Sequence, residues 1–368
     1  MQASRSMGST IVLAGILICG CGGGSASGTA APGPAAAAPT VATAAARNGA
    51  VVVTLAAATP GATIYYTVDG SAPGTSSPRY FAPFLVASNV TVKAIAAVSG
   101  GTPSAVTGRT FAADIPSGAL VWSEEFNPGV VSNQPNPRVW TYDTGNNGFG
   151  NQELENYCGF ASAASPCDAT KPNAIVGIDG KLHITARQPS PGVYTSARLK
   201  SQGLFSFQYG RIEARMKLPE GPGMWPAFWL LGNNITTIDW PACGELDVME
   251  HIDGSNPQNE GFDWVQGSVH GTGLNGGTQY HPAGFSAAAW HTYGMIWSKG
   301  QIQYYIDQPT NVYATFTPAT QPGTWPFDDG PQFILLNLAV GGSWPGPPNG
   351  TTVFPSEMLV DYVRIYSN

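Results

Sequence analysis

In the stretch Gly244-Glu245-Leu246-Asp247-Val248-Met249-Glu250, three carboxylates fall within six residues of an otherwise apolar run. Charged residues make up only 11% of the chain, so this crowding is not the by-product of a charged surface. Like charges held close together cost energy, and one carboxyl of such a group tends to keep its proton at neutral pH. Read as a β-strand, the stretch points Cys243, Glu245 and Asp247 to one face and Gly244, Leu246 and Val248 to the other. Strict alternation would send Glu250 into the apolar side, where an unpaired carboxylate is costly. One extra residue at Val248-Met249, a β-bulge, returns Glu250 to the face of Glu245 and Asp247. The competing readings are a solvated acidic strand and a calcium loop. The first usually interleaves Lys with Glu, yet no base lies between Asp239 and His251. The second is richer in Asp, Asn and Gly.

The rest of the chain has the same character. Gly 46, Pro 31 and short alternating runs of Val and Thr, without long amphipathic repeats, predict an all-β protein. The 368 residues are enough for two domains, and the net charge of −7 argues against nucleic acid or an anionic lipid surface as main partner. A neutral polymer is compatible with it. All ten Trp lie at or beyond Trp122, which separates a module over residues 41–113 from a larger domain over 117–368. In the first, Val51–Leu55, Thr63–Val68, Phe84–Val86, Val90–Ala96 and Val106–Phe111 read as strands of a small immunoglobulin-like β-sandwich. In the second, strands at Lys181–Ala186, Gly210–Lys217, Trp290–Trp297, Gln301–Asp307 and Met358–Tyr366 suggest two large sheets packed as a jelly roll.

At the N-terminus, Arg5 and the apolar run Ile11–Ile18 read as a targeting segment over residues 1–20, too short for an ordinary membrane span. The following Cys19-Gly20-Cys21-Gly22 resembles a bacterial lipoprotein signal, with Cys21 as the acylated first residue. An ordinary secretory signal is the alternative. Either places the mature protein outside the cytoplasm, as an outer-membrane or cell-surface lipoprotein or as a secreted protein. Residues 21–40, small and uncharged, are expected to form a flexible linker. Cys158 and Cys167 bracket a small polar loop and are candidates for a disulfide, which suits export. Cys243 is then left as a small buried residue beside the cleft rather than a nucleophile.

Paired carboxyls in environments that push their pKa values apart are the equipment of glycoside hydrolysis. Retaining enzymes hold the pair roughly 5–5.5 Å apart and inverting ones roughly 6.5–9.5 Å. Strand rise alone puts Glu245 and Glu250 more than about 10 Å apart, so their side chains must lean inward on a concave sheet. The residues do not order the two glutamates.

Glu245-Leu246-Asp247-Val248-Met249-Glu250 resembles the signature of glycoside hydrolase family 16 in its bulged form. Val121–Asn127, Gly150–Tyr157, Gly223–Gly232, Asn337–Gly346 and Leu359–Tyr366 resemble further family segments in the same order. The similarity is nearest to bacterial laminarinases, endo-β-1,3-glucanases that act on β-glucan. It implies a β-jelly roll, retention of configuration, Glu245 as nucleophile, Asp247 as the residue tuning it, and Glu250 as general acid then base. It also implies no catalytic cofactor, and a structural Ca²⁺ on the convex face held by Glu125, the Gly180 carbonyl and Asp361. Trp225 and Trp229 share a strand face and suit sugar stacking, with core packing as the alternative. Trp240, Asn151, Arg215 and His270 are further candidates for the cleft, His270 as a neighbour of Glu250. Residues 60–96 resemble the chitobiase/β-hexosaminidase C-terminal-type module, read here as a spacer or accessory domain. A β-1,3-1,4-glucanase, a galactan hydrolase, a transglycosylase and a non-catalytic β-glucan-binding protein are the rival functions. The last loses the catalytic glutamates, which this chain keeps. A monomer is expected.

Overall fold

The computed structural model describes residues 33–128, 133–253, 261 and 263–368. The targeting segment, Cys19, Cys21 and the first part of the linker lie outside the described residues.

Residues 40–111 form two small antiparallel sheets. One pairs Thr40–Ala45, Val51–Ala56 and Phe84–Val86; the other pairs Thr63–Thr67, Val90–Ala97 and Thr107–Phe111. Val53, Leu55, Ile64, Tyr66, Phe84, Val92 and Phe111 fill the space between them. The Thr40–Ala45 strand opens the module, ahead of Val51–Leu55, the first strand that the sequence predicts. Its small, Ala-rich residues have weak strand preference, and they form an edge zipped to Val51–Ala56. Linker residues just before it are also tied down. Ala36 N–H donates to Thr102 O and Ala37 N–H to Thr59 Oγ1.

The larger domain is a β-jelly-roll sandwich. A seven-stranded sheet runs Leu274–Tyr280, Val265–Gly271, Glu245–Glu250, Met224–Gly232, Gln332–Val340, Arg198–Lys200, Thr141–Asp143. It packs on a ten-stranded sheet that includes Gly210–Lys217, His291–Ser298, Gln301–Ile306, Leu182–Ser190 and Ser356–Tyr366. Phe228, Leu230, Leu246, Val269, Leu336 and Leu338 from the first meet Ile212, Ala214, Met295, Val360 and Val363 from the second. Each strand of the seven-stranded sheet therefore sends one set of residues into this core and the other onto the opposite face, where the cleft lies.

The core does not stop at the domain boundary. Ala50 and Leu85 of the small module belong to the same buried cluster as Trp122 and Phe205. Main-chain bonds reinforce the seam: Leu85 N–H donates to Ser206 O and Arg47 N–H to Val121 O, each at 2.9 Å. Cys158 and Cys167 are disulfide-bonded, and Cys243 is free and buried against Leu231, Phe333 and Leu335.

Candidate active site

The acidic strand lies antiparallel to Met224–Gly232, with Glu245 opposite Leu231, Asp247 opposite Trp229, Met249 opposite Phe228 and Glu250 opposite Ala227. Val248 is the residue without a counterpart, which is the bulge that alternation demanded. Val248 and Met249 both enter the core with Leu246. Glu245, Asp247 and Glu250 are thereby left lining one cavity of about 700 Å³, with Trp225, Trp229 and Trp240. Gly244 introduces the strand with φ +82°, where a Cβ would lie 2.8 Å from Pro326.

Each carboxyl has its own partners. Trp240 Nε1–H donates to Glu245 Oε2 at 3.1 Å, and Trp225 Nε1–H donates to Glu250 Oε1 at 3.1 Å. Ser268 Oγ–H donates to Glu250 Oε2 at 3.4 Å. His270 is directly across from Glu245, and its Nε2 lies 3.1 Å from Asp247 Oδ2 and 3.9 Å from Glu245 Oε1. His270 thus flanks the Glu245–Asp247 end, not Glu250 as the sequence suggested. Antiparallel register explains this, because Gln266 takes the place across from Glu250.

Burial raises all three carboxyls. Asp247 is pushed up to about 8 by desolvation; Glu250 also rises to about 8, from burial first and then the charge of Asp247. Burial and Asp247 raise Glu245 as well, opposed by His270 and Arg198. Three like charges cannot coexist here at neutral pH. Glu245 and Glu250 each have an indole donor and feel His270, and Arg198 is the cation that acts on Glu245 in particular, so the charge is placed there. The proton belongs on the Asp247/Glu250 side. This arrangement supplies an anion and a proton donor in one cleft.

A stability signature follows. Between pH 4.5, the ordinary value for a glutamate, and about 8, folding must retain a proton on Glu250 that the unfolded chain has released. The folded state then binds more protons, so stability falls as pH rises through this window. Glu250→Gln is expected to raise the Tm at pH 8 and leave it nearly unchanged at pH 4, as read by thermal unfolding at both pH values. Equal shifts at the two would contradict the shared-proton arrangement.

The cleft walls include residues that the sequence did not single out. Arg198 lies 4.6 Å over the Trp229 ring and 5.1 Å over Phe149, and pairs with Asp143 at 3.0 Å. Trp229 Nε1–H donates to Asn337 Oδ1 at 2.7 Å, and Asn337 Nδ2–H donates to Tyr157 Oη at 3.2 Å. Tyr157 Oη–H donates to Glu153 Oε2 at 2.8 Å, and Asn151 Nδ2–H reaches Glu153 Oε1 at 3.1 Å. A continuous hydrogen-bonded chain therefore joins Trp229 to Asn151, and both line the cavity. Trp344 meets Trp225 edge-on at 5.5 Å. The sequence hint of these partners was the position of Glu153 and Tyr157 in one family-like segment and of Asn337 and Trp344 in another; Arg198 and Phe149 lie outside both.

Two expectations are not met by the arrangement. Arg215 lies on the ten-stranded sheet, bound to Asp361 at 2.7 Å and 4.8 Å over Trp290, away from the cleft. The set Glu125, Gly180 and Asp361 does not fit a calcium ion as arranged. Glu125 is clamped by two nitrogens of Arg364 at 3.0 and 2.8 Å, and Asp361 is engaged by Arg215. Calcium takes six to eight oxygens, and here both carboxylates already face guanidinium groups.

A family model for glycosyl hydrolases family 16 matches residues 163–364. The chain belongs to that family. A Chitobiase/beta-hexosaminidase C-terminal domain matches residues 43–108, so the small module is present as well. A beta-glucanase of Rhodothermus marinus is 39% identical over 269 residues, covering 68% of this chain and 86% of that protein. The laminarinase catalytic domain from Thermotoga maritima MSB8 superposes with a TM-score of 0.58 at 37% identity, over 69% of this chain and 99% of that one. The endo-beta-1,3-glucanase from Pyrococcus furiosus gives 0.57 at 37% identity, over 67% and 94%.

Proposed function

We propose that the protein is a retaining endo-glycosidase that hydrolyses β-1,3-glucan of the laminarin type by double displacement. The observation that carries this reading is the bulged strand, which aims Glu245, Asp247 and Glu250 into one cleft walled by tryptophans. Glu245 attacks the anomeric carbon as the glycosidic bond breaks, and Glu250 protonates the departing oxygen. Glu250, now a carboxylate, takes a proton from water, which releases the sugar from Glu245 and restores the starting state. Asp247 and His270 hold the local charge around Glu245. Trp225, Trp229 and Trp240 offer faces for the apolar sides of pyranose rings, and the two whose indole N–H groups hold the glutamates couple sugar position to the reacting atoms.

The leader is read as an export signal, which fits a polymeric glucan met outside the cell. The disulfide suits an oxidising compartment. Acylation of Cys21 is the form of anchoring that the leader favours.

A reducing-sugar panel on laminarin, lichenan, barley glucan and agarose tests the assignment. Laminarin is expected to be cleaved fastest, with NMR of early products showing the β-anomer first. A preference for lichenan, barley glucan or agarose would move the protein to another specificity within the family. Inertness on all four would favour a binding protein.

A further inference from the structure

We infer that the small N-terminal module completes the substrate cleft, with Phe81 forming an outlying saccharide subsite together with Lys200 and Asn233. This rests on the reading of the protein as a β-glucan hydrolase. A second cavity, of about 450 Å³, lies where the module meets the catalytic domain; Phe81 comes from the module, and Thr141, Tyr142, Lys200 and Asn233 from the jelly roll. Its size is within the range of small-ligand sites.

The cavity adjoins the cleft. Arg198 lines the cleft and Lys200, two residues along the same strand face, lines the cavity; Asp143 bridges the two cations. The strand rise makes that step about 7 Å. Leu231 of Met224–Gly232, two places away in the sheet, lines the cleft and Asn233, just past that strand, lines the cavity; on the short helix that follows, Ile235 lines the cleft and Thr236 the cavity.

Its chemistry fits a sugar. Lys200 is held by Asp143, which it shares with Arg198, and so is fixed in place as a hydrogen-bond donor at the cavity wall. Asn233 is buried, 9% exposed, and its Oδ1 has no hydrogen-bond partner among the described residues. Thr141 and Lys200 are directly paired on adjacent strands and, with Gln202 and Asn233, give the cavity a polar wall suited to hydroxyl groups. Phe81 adds an apolar ring, steadied by Arg79 at 5.4 Å. The shared core of Ala50, Leu85, Trp122 and Phe205 fixes the module, so the ring is presented without an ordering cost on binding.

The test uses the full chain and a series of laminari-oligosaccharides from trimer to long-chain laminarin. With wild-type protein, kcat/KM should climb with chain length. Phe81→Ala should leave the shortest substrates unaffected and lower kcat/KM on the longest about fivefold to tenfold, as expected for loss of one stacked ring. Phe81→Trp should preserve the long-chain gain. Asn233→Ala probes the other wall, independently of any effect on module stability, and should show the same length-selective loss. An unchanged length profile in both Phe81→Ala and Asn233→Ala overturns the subsite while leaving the hydrolase reading intact. Wild-type protein inert on the whole series would overturn both.

Discussion

Glu245→Ala and Glu250→Ala should each lower turnover of laminarin by about a hundredfold to ten-thousandfold or more, and azide should tell them apart. Without Glu245 no glycosyl-enzyme can form. Azide, small enough to occupy the space left by the side chain, would attack the anomeric carbon directly, and the product would be the α-glycosyl azide. Without Glu250 the first step survives when the leaving group needs no proton, as with an aryl glycoside. The glycosyl-enzyme on Glu245 then accumulates, and azide, which needs no general base, would release it as the β-glycosyl azide. Measurement is by product NMR with each variant. Near-normal laminarin turnover in either variant would sink the two-carboxylate mechanism. Opposite azide anomers would leave it standing with the roles exchanged.

The clearest link from sequence to site is the acidic strand. Period-two alternation could not place Glu245, Asp247 and Glu250 together without an extra residue, and the register supplies it at Val248. The tryptophan pair was legible for the same reason, because residues four apart on a strand share a face. Alternation does not say which sheet a strand joins. Arg215 alternates as well as Trp225 does, but its strand belongs to the ten-stranded sheet, where its polar face meets Asp361 and Trp290. His270 illustrates a second limit. Its residue type marked it for the site, but only the pairing of Val265–Gly271 with the acidic strand decides that it faces Glu245 and Asp247. Long-range partners were the least legible. Nothing local to Leu85 or Ala50 distinguishes an apolar residue in the module's own core from one shared with Trp122 and Phe205. Arg198 likewise sits in a short polar run, and only its position across from Asn337 and Asp143 brings it over Trp229.

Asp247→Asn should lower kcat by about tenfold to a hundredfold and move the alkaline limb of the pH profile to lower pH. Asp247 is buried among the two glutamates, and its charge is the second cause, after burial, of the raised Glu250 carboxyl. A neutral amide removes that charge while keeping the shape. Glu250 then releases its proton more readily, so the acid form needed for the first step is lost at lower pH. The acidic limb reports Glu245, which Asp247 also raises, and it should move down with it. His270 Nε2, 3.1 Å from the carboxylate, keeps a polar neighbour but loses its charged one. The comparison is a kcat/KM profile for wild type and variant on the same laminarin. A merely structural role for Asp247 would lower the whole profile without moving either limb, and an alkaline limb displaced upward would show that Asp247 does not act on Glu250 through its charge.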